Sequence, residues 1–242
     1  MLFERLPLSL RKALAWSVHV FTATGAVWGF LTILAIFEQN WRMVIVWQIV
    51  AMFVDGFDGM LARWFHVKQY AQGIDGGLMD NIIDYINYVV IAALLLVKWP
   101  GLMPAGLEVA AACSILLTSA YQFSQVDAKS EDGAYFFKGF PSVWNFLVFY
   151  LILVGLNPWV NLLIVIICNV LIFVPIKYIY PTRNTRLRKL TLVLTILFGV
   201  LGAWGLLQYP DVPEWVVWIS LLYVLYYTVL SVFPKIGQTN LV

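Results

Sequence analysis

The sequence predicts an all-α fold, a polytopic membrane helical bundle of about eight transmembrane helices with both termini cytoplasmic. Composition gives the first reason. Of 242 residues, 62% are apolar, 16% aromatic and 12% charged, with a mean hydropathy of +0.85. That is more hydrocarbon than one water-soluble globule hides. Apolar runs close to the ~20 residues that cross a bilayer give the second. The third is that lysine and arginine collect in alternate loops.

The runs place spans at 13–36, 41–64, 77–98, 105–124, 141–156, 158–180, 188–208 and 214–233, the fifth being short and poorly bounded. Lipid offers backbone groups no partners, so each span satisfies its own hydrogen bonds as a helix. The first run is too long for the apolar core of a secretory signal and reads as a retained span. Ahead of it, Leu2, Phe3, Leu6, Leu8 and Leu10 alternate with charged or breaking residues, which fits an amphipathic entry helix or a frayed start equally well. Cys113 and Cys168 fall within apolar runs and predict neither a disulfide nor a metal site. His19 reads as a hydrogen-bonded packing residue. No repeat or low-complexity linker divides the chain, so one membrane domain over residues 1–242 is expected.

On one side of these spans lie Arg5, Arg11, Lys12, Arg63, Lys68, Lys129, Lys138, Lys177, Arg183, Arg186, Arg188, Lys189 and Lys235. Only Arg42 and Lys98 lie on the other. The positive-inside rule then puts both termini, and the loop between the second and third spans, in the cytoplasm. A net charge of +2 with no basic stripe argues against nucleic acid as a partner.

Four aspartates interrupt this greasy pattern. Asp55 and Asp58 end the second span, and Asp80 and Asp84 begin the third. Each such group costs on the order of 2.5–3.5 kcal/mol in a membrane segment, so four require a reason. Spacings of three and four put each pair on one helical face. If the two helices are antiparallel neighbours, the pairs face each other at their cytoplasmic ends. Converging carboxylates repel unless protonated or bridged by a cation. Oxygen-only ligation favours Mg²⁺ or Mn²⁺, ions that share their coordination with phosphates. Gly56, Gly59 and Ala62 keep the backbone approachable, and Arg63 adds a cationic fork suited to phosphate.

The residues Asp55, Asp58, Gly59, Ala62 and Arg63, followed by Gly76, Asp80 and Asp84, resemble the signature of the CDP-alcohol phosphatidyltransferase family. All of its fixed positions are filled. The spacer, residues 64–75, is longer than in most members and is similar to that of the bacterial branch making phosphatidylcholine. Asp80–Tyr88, Gly139–Asn145 and Pro175–Pro181 extend that likeness.

The resemblance implies transfer of the phosphatidyl group of CDP-diacylglycerol to an alcohol, choline in this branch, with release of CMP. It implies two Mn²⁺ or Mg²⁺ ions on Asp55, Asp58 and Asp80, with Asp84 as the base and a further metal contact. Gly59, Ala62, Arg63 and Gly76 would line the nucleotide phosphates, and the protein would be a homodimer in the bacterial inner membrane, its active site facing the cytoplasm. A quaternary ammonium is held by aromatic faces, for which Tyr88 and Trp144 lead, with Tyr85, Tyr121 and Asn145 behind them; Tyr135, Phe136 and Phe140 are further candidates. Arg183 and Arg186 are candidates for lipid headgroups or donor phosphates, with an ordinary positive-inside loop as the default.

Two competing expectations can be discriminated. A cation or proton transporter would spread its carboxylates through the membrane depth and would leave Gly59, Ala62 and Arg63 unexplained. Serine, inositol or glycerol-phosphate acceptors would call for a polar or basic pocket.

Overall fold

The computed structural model describes residues 2–125, 136–179, 187–209 and 211–232. Arg183, Arg186 and Tyr135 lie outside them, and the side chain of Phe136 is likewise not described. The chain divides into two compact units, Met1–Ile91 and Ala92–Val242.

In the first unit, a 3₁₀ turn at Leu2–Arg5 precedes α1 (Leu8–Phe37), α2 (Trp41–Trp64), the short α3 (Val67–Tyr70) and α4 (Gly76–Asp84). A π-helix at Tyr85–Val90 continues α4. The organising element is α1. Its buried residues Ala15, Val18, His19, Thr22, Gly25, Gly29, Thr32 and Ala35 recur every three or four positions, a stripe of mostly small side chains that lets neighbouring backbones approach. α2, α3, α4 and the π-helix all pack against α1. At Gly25 a Cβ would stand 2.6 Å from Ile83 Cγ2, and at Gly29 one would stand 3.0 Å from Asn87 Oδ1 and Ile86 Cγ2. A side chain at Gly25 would force Ile83 to shift, and one at Gly29 would crowd Asn87 and Ile86.

The spacer after α2 is a folded connection. His66 takes a left-handed φ of 47° and turns the chain into α3. Val67 and Ala71 bury against Ala15 and Val18 of α1, with Leu61, Ala62, Phe65 and Tyr70 packed around them. Arg11 secures the outer face, donating to the carbonyls of Leu6 at 2.7 Å and Glu4 at 2.6 Å and to the Tyr70 hydroxyl at 3.1 Å. Asp75 then caps α4 by accepting the Leu78 N–H at 3.0 Å.

The second unit holds α5 (Ile91–Lys98, its first residue on the boundary), α6 (Glu108–Ser124), α7 (Trp144–Val154), α8 (Pro158–Phe173), α9 (Arg188–Leu207) and α10 (Glu214–Val232). Strands β1 (Phe136–Lys138) and β2 (Lys177–Ile179) pair antiparallel. This short pair accompanies an otherwise helical fold, and the helix of the span expected at 158–180 ends at Phe173. Pro175 disfavours the helical conformation of the residue before it, and Val174 is extended at ψ 123°. Likewise α6 begins at Glu108, after Pro104 and a left-handed Gly106 with φ 85°.

Among the described residues, Leu8–Phe37, Trp41–Trp64, Gly76–Lys98 and Lys189–Leu207 are long and apolar enough to cross a membrane. Many large apolar side chains, such as Phe30, Leu117, Trp159 and Trp218, face outward. That pattern belongs to a chain whose solvent is lipid. The architecture is a helical membrane bundle.

Candidate active site

Asp55, Asp80 and Asp84 each present a carboxylate oxygen within 4.8 Å of the others, and all three are partly buried. Thr22 and Gly25 of α1, Asp55 and Asp58 of α2, and Asp80, Ile83, Asp84 and Asn87 along α4 and its continuation line one pocket. The seam expected between the two aspartate-bearing helices is therefore present. Its floor is α1, whose small residues leave room for acidic side chains to converge.

Asp58 sits slightly apart. It lines the same pocket but is only 9% exposed, and the Thr22 hydroxyl donates a hydrogen bond to it. Asp55 has its own anchor, because the Tyr88 hydroxyl donates to its Oδ2 at 2.6 Å. Tyr88 thus enters the site through a carboxylate, a role that the aromatic reading of the sequence did not include.

The remaining signature residues surround this group. Gly59 leaves space beside Arg63, whose Nη1 would lie 3.5 Å from a Cβ there, and Arg63 itself is exposed. Ala62 packs on the spacer cluster. A Cβ at Gly76 would come within 3.2 Å of His19 Cε1, so the start of α4 lies close against His19 of α1. His19 is buried, with Nε2 3.4 Å from the Ala71 carbonyl. Gly56 faces open space.

Of the candidates for the choline pocket, Tyr85 and Tyr88 belong to the same unit as the aspartates, while Tyr121, Trp144 and Asn145 belong to the second. Trp144 is fully buried, its indole N–H donating to Ser119 Oγ at 2.7 Å. Phe140 meets its ring edge-on with centroids 5.1 Å apart. Asn145 is also buried and accepts the Phe146 N–H at 2.8 Å. Tyr121 is half exposed and lies against Phe173.

Sequence reasoning missed a buried set of neutral polar groups beside the carboxylates. Asn87 donates from Nδ2 to the carbonyls of Gly25 at 3.1 Å and Ile83 at 3.0 Å. Gln48 Nε2 reaches Asn87 Oδ1 at 3.4 Å and Thr32 Oγ1 at 3.5 Å. Their only signal was an amide inside each apolar run, together with the Gly25–Gly29 pair.

Three partly buried carboxylates this close, with no histidine or cysteine among them, suit a hard divalent cation and the phosphate oxygens it brings. Residues 17–174 match the family model for CDP-alcohol phosphatidyltransferases. The chain belongs to that family. As a CDP-alcohol phosphatidyltransferase it works on a CDP-linked donor and an alcohol acceptor in a lipid setting.

Its relatives include phosphatidylcholine synthase of Legionella pneumophila, 40% identical over 225 residues, covering 90% of this chain and 88% of the relative. Phosphatidylcholine synthase of Rhizobium johnstonii is 36% identical over 98% of this chain and 97% of its own length. That of Borreliella burgdorferi is 40% identical over 78% and 80%, respectively. The likeness extends well beyond the signature segment, and these relatives are bacterial.

Proposed function

We propose that this chain transfers the phosphatidyl group of CDP-diacylglycerol to choline, forming phosphatidylcholine and CMP. The observation that carries the reading is the convergence of Asp55, Asp80 and Asp84 within 4.8 Å, in a chain whose relatives over nearly its whole length are phosphatidylcholine synthases.

In this reading Asp55, Asp58, Asp80 and Asp84 hold two Mg²⁺ or Mn²⁺ ions, which when bound supply positive charge to the donor's diphosphate. Gly59, Ala62, Arg63 and Gly76 line the nucleotide. Arg63 is exposed at the end of α2 and can reach a phosphate that enters from water. Asp84 accepts the proton of the choline hydroxyl. That oxygen forms a bond to the phosphorus bearing diacylglycerol, and the bond from this phosphorus to CMP breaks.

Choline offers no anionic handle, so its ammonium rests on aromatic faces. Tyr88 and Tyr85 supply them beside the aspartates. Arg183 and Arg186 are candidates for anionic headgroups or the donor's phosphates, with an ordinary positive-inside loop as the default. The chain forms one domain with about eight spans in the bacterial inner membrane, termini and site at the cytoplasmic face, and acts as a homodimer. The donor's own shape supports this placement, because its nucleotide stays in cytoplasmic water while its acyl chains stay in lipid.

The test supplies detergent-purified protein with labelled CDP-diacylglycerol and, in parallel, choline, serine, inositol or glycerol 3-phosphate, with and without Mn²⁺. Phosphatidylcholine should form with choline and require the ion. A preferred product with another acceptor would overturn the choline assignment, and turnover undiminished by chelation would overturn the metal assignment.

A further inference from the structure

The carboxylates do not hold themselves in place. They sit on separate helices, they repel one another, and in lipid no hydrophobic drive presses those helices together. What fixes their separation must be packing and hydrogen bonds, and one side chain makes several of the latter.

Asn87 lies one residue before Tyr88 in the π-helix Tyr85–Val90 and is only 6% exposed. Both of its amide hydrogens are used, one on the Gly25 carbonyl of α1 and one on the Ile83 carbonyl of its own helix. Its oxygen faces Gln48 Nε2 of α2. A single amide therefore ties α1, α2 and the α4 continuation, the elements that supply Thr22, Asp55 and Asp58, and Asp80 and Asp84, respectively.

The π-helix is part of the arrangement. Its wider turn shifts the backbone hydrogen bonds from four residues back to five, as in the Ile91 N–H, which bonds to the Ile86 carbonyl. The Asn87 side chain bonds the Ile83 carbonyl at this transition. The same wide turn brings consecutive side chains closer to one face, so Asn87 and Tyr88 both reach inward. One fastens the helices while the other fastens Asp55. Isolated π turns occur often at functional sites.

We propose that Asn87, supported by Gln48, is a positioning residue that sets the spacing of Asp55, Asp80 and Asp84 for divalent-ion binding. This rests on the metal-holding role given to those aspartates above. In this role Asn87 acts through the geometry of the aspartates that hold the ion. Partners that orient metal ligands typically account for a 10–100-fold change in affinity.

The experiment measures Mn²⁺ binding to the detergent-purified chain by electron paramagnetic resonance of the free ion, with thermal unfolding followed on the same samples. Asn87→Leu, which keeps volume but loses both donors, should weaken Mn²⁺ binding about tenfold or more. Gln48→Leu, which spares Asn87's own donors, should weaken it by about threefold, the smaller end of such effects. Should Asn87→Leu fail to fold, the milder Gln48→Leu decides. Wild-type affinity in whichever variant folds would overturn the positioning role while leaving the metal reading intact. No Mn²⁺ bound by wild type, or full binding by Asp80→Asn, would overturn both.

Discussion

The two units of the chain bury polar side chains in different ways. In the first, polar groups from several helices gather around acidic side chains: Thr22 on Asp58, Tyr88 on Asp55, and Asn87 with Gln48 beside them. In the second, they settle in local sets. Thr118 donates to Asn169 Oδ1 at 2.6 Å, and Asn169 donates to Ser114 Oγ at 3.0 Å. Thr195 and Thr191 meet the hydroxyls of Tyr223 and Tyr226. Local sets of this kind join neighbouring helices, with each pair contributing on the order of 0.6 kcal/mol. The first arrangement leaves ionisable groups in a shared pocket, where they are costly unless they act.

The largest effect should therefore come from the acidic group itself. Asp80→Asn keeps the side-chain shape and removes a charge from a crowded cluster, so turnover should vanish while thermal unfolding stays within a few degrees of wild type. Normal activity in a well-folded Asp80→Asn protein would erase the distinction between the units. Tyr88→Phe is next. Without the hydroxyl, Asp55 loses its anchor, and activity at limiting Mn²⁺ should fall about 10–100-fold. The loss should be recovered in part at high Mn²⁺, a recovery that a purely structural fault would not show.

Gly25→Val follows. A Cβ at this position would lie only 2.6 Å from Ile83 Cγ2, and overpacking of this kind typically costs about 1–3 kcal/mol. Because the strained crossing carries the aspartates, thermal stability and Mn²⁺ affinity should drop together. The smallest effect belongs to the second unit. Thr118→Val removes one helix-joining hydrogen bond, so stability should fall by about 0.6 kcal/mol, with Mn²⁺ affinity unchanged. A Thr118→Val protein with weakened metal binding would break the contrast.

Much of this arrangement was legible in the chain. Apolar length marked the helices because a membrane span must close its own hydrogen bonds; the range 41–64 coincides with α2, and 77–98 falls within one residue of Gly76–Lys98. The aspartates stood out because charge is rare in such runs, and helical periodicity alone puts residues three or four apart on one face. Less could be read where the determinant is tertiary. Val67–Tyr70 forms a helix because Val67 finds Ala15 and Val18 to bury against, a fact no local pattern announces. The strand pair depends on segments about forty residues apart in sequence. Asn87 and Gln48 are neutral amides whose importance comes from meeting across helices, and Tyr88 was read for its ring when its hydroxyl holds the contact.

The claim on which the account rests is that acids from α2 and α4 form one divalent-ion site. Crystals of the protein soaked with Mn²⁺ and measured at the manganese absorption edge address it directly. Anomalous density should appear among Asp55, Asp80 and Asp84 and disappear in Asp80→Asn crystals. Density confined to other positions, or none at saturating Mn²⁺, would contradict it.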